Sequence, residues 1–141
     1  MSRSSTPEGD TSAARHDVDA TGARNMRLLA HDRLGGFGNC GEGMAIQLAG
    51  DGRRFLWLAH ESPPKNVTAV DVTEPRRPGV IFQSDLPHGE MRSNSLDVVG
   101  DLLVVAYQTS RPGLQPAGFE IFDVADPVRP RCADQRRSRG A

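Results

Sequence analysis

Three histidines, His31, His60 and His88, are the side chains of this chain best suited to transition-metal chemistry, and they are almost evenly spaced. Imidazoles that converge on one point can hold such a metal. The near-equal spacing would allow this if each histidine closes a strand or turn in a repeated unit. No local ligand motif supports the set, and capping a strand or bonding to backbone is the simpler role. Cys40 lies in a glycine-rich loop and would act as a nucleophile only beside a base; the sequence offers none next to it. Gly36-Phe37-Gly38-Asn39-Cys40-Gly41 has the form of the dinucleotide fingerprint, with Glu61 at the distance beyond Gly41 where its acidic residue belongs. That chemistry requires the last glycine to open a helix facing the pyrophosphate. Only Met44 to Ala49 precede Gly50-Asp51-Gly52, too few for such a helix, so a glycine-rich loop is the better account.

Four carboxylates are placed by repetition. Asp71-Val72-Thr73-Glu74-Pro75-Arg76-Arg77-Pro78 returns, at one fixed offset throughout, as Asp123-Val124-Ala125-Asp126-Pro127-Val128-Arg129-Pro130. A catalytic carboxylate in a repeat protein tends to be singular, whereas turn residues recur in every unit. Asp71 and Asp123 are therefore expected at strand ends, accepting backbone N–H groups of the coming turn. Pro75 and Pro127 stop the ladder because they lack a donor, and Pro78 and Pro130 hold the exit direction. A period of this size signals one supersecondary unit stacked on copies of itself.

The elements that would position these residues read as strands. Met26-Arg27-Leu28-Leu29-Ala30 is a short apolar run leading into the glycine-dense stretch. Met44 to Leu48 alternates, Gly50-Asp51-Gly52 turns, and Phe55 to Ala59 runs apolar on the far side, which is strand, tight turn, strand. Ser95 to Val99, Gly100-Asp101 and Leu102 to Tyr107 repeat that order. Proline-containing loops of unequal length, Glu61 to Asn66 and Gln108 to Gly118, then open into Val67–Val72 and Phe119–Val124. Val80-Ile81-Phe82 starts a fourth, outer strand in the first unit, and no comparable pattern follows Arg131. Consecutive apolar residues in Phe55–Ala59 and Leu102–Ala106 imply burial on both faces. Trp57 and Tyr107, each after its hairpin turn, are expected to pack between units.

The fold class is thus all-β: two consecutive four-stranded antiparallel units of propeller type, about 37–89 and 90–131, within a partial β-propeller over 25–131. A disordered arm over 1–24 precedes it and a disordered basic tail over 132–141 follows. The hairpin followed by a strand ending in Asp-Val-x-Asp/Glu-Pro-x-x-Pro resembles the LVIVD-repeat family of β-propeller proteins. Asn25-Met26-Arg27-Leu28-Leu29-Ala30-His31 with Gly35-Gly36 is similar to a propeller opening in bacterial members. The resemblance implies several radially arranged blades and little about activity. Two units fall short of the roughly four blades of a closed propeller, so the chain is expected to be a fragment or to complete itself by oligomerising.

Composition narrows the partners. A net charge of −1 on 141 residues, spread along the chain, gives no electrostatic case for nucleic acid or an anionic membrane. No apolar run approaches the ~20 residues of a membrane helix, and no apolar core marks a secretory leader, so a cytoplasmic location is expected and Asn66-Val67-Thr68 is a chance glycosylation match. Two distant cysteines make neither a disulfide framework nor a zinc site. The expected function is a binding or scaffolding module for a protein or small-molecule partner, without a cofactor, and able to self-associate through open blade faces. The alternatives are a metal-dependent propeller enzyme with His31, His60 and His88 lining the channel, and a truncated product without function.

Overall fold

The computed structural model describes residues 24–134. The expected disordered arm, apart from Arg24, and the tail beyond Asp134 lie outside the described residues. Eight strands follow in order among the described residues: β1 (Cys40–Leu48), β2 (Arg54–His60), β3 (Lys65–Asp71), β4 (Gly79–Asp85), β5 (Met91–Val99), β6 (Leu102–Thr109), β7 (Gly118–Asp123) and β8 (Arg131–Asp134). They form two antiparallel meanders, β1-β2-β3-β4 and β5-β6-β7-β8. One 3-10 turn, Leu34–Gly36, is the helical element among the described residues.

The repeated phrase forms the same turn twice. Asp71 accepts the Thr73 N–H at 2.9 Å and Asp123 accepts that of Ala125 at 3.0 Å. Glu74 and Asp126 accept the N–H groups of Arg76 and Val128, both at 3.2 Å. Their carbonyls accept from Arg77 and Arg129. Carboxylate and proline together end the ladder in both units, as their spacing implies. The second unit nevertheless acquires its fourth strand, because the exit from Pro130 returns the chain to β7, with Asp123 opposite Arg131 and Phe122 opposite Cys132. The supposed tail over 132–141 therefore begins inside a sheet. Backbone pairing supplies β8 where side-chain patterning gives no signal. The run Met26 to Ala30 belongs to no strand, and Met26 and Leu28 are exposed.

The ladders define which positions correspond. Gln47 faces Phe55, which faces Asp71; Val99 faces Leu102, which faces Asp123. First and third strands thus share the offset of the repeated phrase, which carries Gln47 to Val99 and Asp71 to Asp123. The second strands follow a smaller offset, which carries Phe55 to Leu102. The β5–β6 hairpin is shorter than the β1–β2 hairpin, and the following loop is longer to the same extent. Strand register survives while loop lengths trade.

The main core lies between the sheets. Trp57 and Ala59 of β2 and Val67 and Ala69 of β3 pack with Leu96 of β5 and with Leu103, Val105 and Tyr107 of β6. Trp57 also meets Phe82 at 6.4 Å between ring centroids. Complete burial of Trp57, Phe55, Leu103 and Val105 stabilises the fold by about 1.5–3 kcal/mol per side chain before conformational entropy is set against it. On the opposite face of the first sheet, Leu34 covers Leu58 and Val70. β2 is consequently buried on both faces. β6 is not: Leu103, Val105 and Tyr107 are buried, whereas Leu102 faces solvent. Two-sided burial holds for one of the two apolar strands, because nothing among the described residues covers the far face of the second sheet.

Contact between the sheets is closest where β5 crosses β1, weaker at β2 and slight at β3, so the sheets meet at their first strands and splay outward. Glycine permits this approach. A Cβ on Gly43 would stand 2.7 Å from the Leu96 nitrogen and 2.9 Å from the Ala59 Cβ. The glycine-dense stretch is a seam for a neighbouring backbone. Gly43→Ala is expected to destabilise the protein by about 1–3 kcal/mol, the range for overpacking, in urea denaturation. Gly50→Ala, with open space around the added carbon, is expected to leave the midpoint unchanged.

Candidate functional site

Corresponding positions near the ends of the two second strands carry different chemistry. His60 ends β2, and Tyr107 is its register counterpart in β6. Each meets a polar partner on the third strand, and those partners, Thr68 and Glu120, correspond in turn. His60 Nε2 lies 2.7 Å from Thr68 Oγ1, and the Tyr107 hydroxyl donates to Glu120 Oε2 at 2.7 Å. One scaffold position thus carries an imidazole–hydroxyl pair in the first blade and a phenol–carboxylate pair in the second.

A polar network joins the two pairs across the seam. Asn66 Nδ2 donates to the Tyr107 hydroxyl at 3.0 Å. The Ser93 hydroxyl of β5 donates to the Asn66 carbonyl and accepts the His60 N–H at 2.8 Å. Gln83 Nε2 donates to Thr68 Oγ1 at 3.0 Å. The Thr68 proton is then available to His60 Nε2, which fits a neutral ring. Burial, the main cause, holds the His60 pKa below its ordinary value, with the Lys65 charge acting the same way against a hydrogen bond to the Asn39 backbone. Burial also raises the Tyr107 pKa, and donation to Glu120 adds to it, so the phenol stays protonated.

Behind this network the splayed outer strands enclose a cavity of about 290 Å³. Its walls are apolar, with Val67, Phe82, Leu103 and Phe122, and its polar groups include Asn66, Tyr107, Glu120 and Asp85. Asn66 Oδ1 is buried with no hydrogen-bond partner among the described residues, although an unmet buried acceptor costs about 1–3 kcal/mol. Asp85 is paired with Lys65 at 2.7 Å. Among the described residues, the lining contains two carboxylates and no basic side chain.

The three histidines proposed as a metal set are not brought together. His60 is buried and bonded as described. His88 Nε2 donates to the Gln115 carbonyl at 2.8 Å, and its Nδ1 accepts the Glu90 N–H at 3.2 Å. His31 is exposed in the segment leading to the 3-10 turn. No group of three His, Cys, Asp or Glu side chains placed to hold a metal occurs among the described residues. Even separation along the chain does not produce convergence here, because the three histidines occupy unlike structural positions.

His31 and Cys40 do line one hollow of about 670 Å³, beneath the lead-in segment and against Leu56, Leu58 and Val70. Burial raises the Cys40 pKa, the opposite of nucleophile activation. Gly41 lies within β1 rather than at a helix start, which removes the geometry of the dinucleotide fingerprint. The residues missed at the sequence level are Asn66, Ser93 and Glu120. Glu120 had one legible signal, a carboxylate within an otherwise apolar strand; Asn66 and Ser93 had none. No helix among the described residues is long and apolar enough to cross a membrane. No protein-family model matches the chain, and no curated protein or solved structure matches it.

The His60 environment predicts a pH dependence. The folded pKa lies below the unfolded value near 6.5, so the unfolded state binds more protons as pH falls. The stabilising contribution is complete above the unfolded pKa and is lost as pH drops through the folded pKa. Denaturation midpoints are expected to fall between about pH 7 and pH 5, and His60→Gln is expected to flatten that slope.

Proposed function

We propose that this chain is a binding module built from LVIVD-repeat-type propeller blades, and that the cavity between its sheets takes a small organic ammonium ligand. The blade reading is supported by the two matched turns and by the register relation between the units. Binding is favoured over catalysis because His60, Tyr107 and Ser93 are each engaged in hydrogen bonds that join strands or sheets.

The observation that carries the ligand class is the unmet acceptor Asn66 Oδ1, on a residue that lines the same cavity as the Glu120 carboxylate. The Tyr107 proton already goes to Glu120, so the cavity floor offers acceptors and negative charge to a ligand. Apolar walls suit a short hydrocarbon tail, and a volume of about 290 Å³ sits at the small end of the usual range for ligand pockets. A primary ammonium would donate to both Asn66 and Glu120. An anion would meet two carboxylates and no cation in the lining.

Calorimetric titration with methyl- to butylammonium tests the proposal. Glu120→Gln keeps an acceptor for Tyr107 and removes the charge, and affinity is expected to fall at least about tenfold. Asn66→Leu is expected to weaken binding as well. Absence of binding by the whole series, or equal binding by the wild type and Glu120→Gln, would overturn it.

A further inference from the structure

We propose that one copy of this chain binds the next head to tail, the far face of the second sheet docking on the first strand of the following copy. This join does not depend on the cavity ligand.

The structure already contains one such interface, between the two sheets, and register tells which residues make each half. The second sheet contributes Leu96, Val98, Leu103 and Val105 to the shared core. Their counterparts in the first sheet are Met44, Ile46, Leu56 and Leu58. They lie on the face turned away from the second sheet, where Met44 and Ile46 are 66% and 56% exposed. The first sheet contributes Trp57, Ala59, Val67 and Ala69 to that core. Their counterparts are Val104, Ala106, Phe119 and Ile121, on the far face of the second sheet, beside exposed Leu102 and Val99. Each outer face therefore holds, in other apolar side chains, the register positions of one half of an interface that the chain forms internally. In register the two faces correspond to the two sides of the internal pair, and they lie on opposite sides of the chain.

The lead-in segment selects how the second copy sits. Leu34 rests on Leu58 and Val70, and its carbonyl accepts from Gln83 Nε2 at 2.9 Å. That cover lies over β2 and β3 and leaves the Met44, Ile46 and Leu48 row of β1 open. Within the chain it is likewise the first strand, β5, that makes most of the contact across the seam. An incoming β1 would play the part of β5 and lie on β5 and β6 of its neighbour. Ser95 and Asp97 stand where the first sheet has Gly43 and Ala45. The seam between copies is thus wider and more polar than the internal one, which places the association in a reversible range. A heterologous join closes into a ring when its rotation allows. Two to four copies would supply the ~4–8 blades of known propellers.

Analytical ultracentrifugation between about 10 and 200 μM, a range suited to a modest interface, tests the join. The wild type is expected to form a closed species of two to four copies. Ile46→Glu and Leu102→Glu should each be monomeric, because each loses one half of the join. Mixed together they should form a 1:1 heterodimer, since each retains the half that the other lacks. A monomeric wild type throughout the range would overturn the proposal. So would self-association of Ile46→Glu alone, which would mean that two second sheets pair face to face, or a mixture that stays monomeric. Both positions are exposed, and circular dichroism checks the fold of each variant. Should either variant misfold, Met44→Lys and Val99→Lys repeat the test.

Discussion

The backbone of β1 lies almost against the backbone of β5 at Gly43, and the rest of the architecture depends on that approach. With a Cβ at this position the seam would open, and Leu96 could no longer sit beside Ala59. The seam is held at both ends by side chains reaching across it. At one end Gln47 accepts the Trp57 indole N–H at 3.0 Å and donates to the Val124 carbonyl, also at 3.0 Å. At the other, Ser93 bonds to the backbone of His60 and Asn66. Tight inner contact with outward splay follows from the twist of each sheet. The splay opens the cavity beside Asn66 and Glu120. Cavity and packing thus share one geometric origin.

Duplication explains the division between scaffold and chemistry. Turn carboxylates, prolines and ladder register recur, because each unit must end its third strand and return the chain in the same direction. Side chains near the end of the second strand do not recur: His60 with Thr68 in one unit, Tyr107 with Glu120 in the other. Fold positions repeat under the physics of turns and ladders, whereas the polar pairs that those positions carry are free to differ. The same duplication places the register positions of one half of the internal interface on each outer face, and the lead-in strap through Leu34 covers part of one of them.

The order of strands, the two hairpin turns and the equivalence of the units could be read from the residues. Hydrophobic runs, Gly-Asp turns and the Asp-Val-x-x-Pro-x-x-Pro phrases all express local rules of backbone conformation. β8 could not be read, because Arg131 to Asp134 has no apolar alternation and becomes a strand only through its pairing with β7. The glycine stretch was legible as a non-helical segment. That Gly43 makes room for another strand was not, since the neighbour, β5, belongs to the other repeat unit and lies far along the chain.

Local chemistry, then, was enough to specify an all-β chain of two like units and the turn that closes each. Which polar groups meet was settled only by packing. The histidines, evenly spaced along the chain, are separated in space, while Asn66, Tyr107 and Glu120, inconspicuous in linear order, converge. Turn and strand preferences act over a few neighbouring residues and can be read one segment at a time. Convergence depends on the distance and tilt between two sheets, and these arise from contacts among residues far apart in the chain.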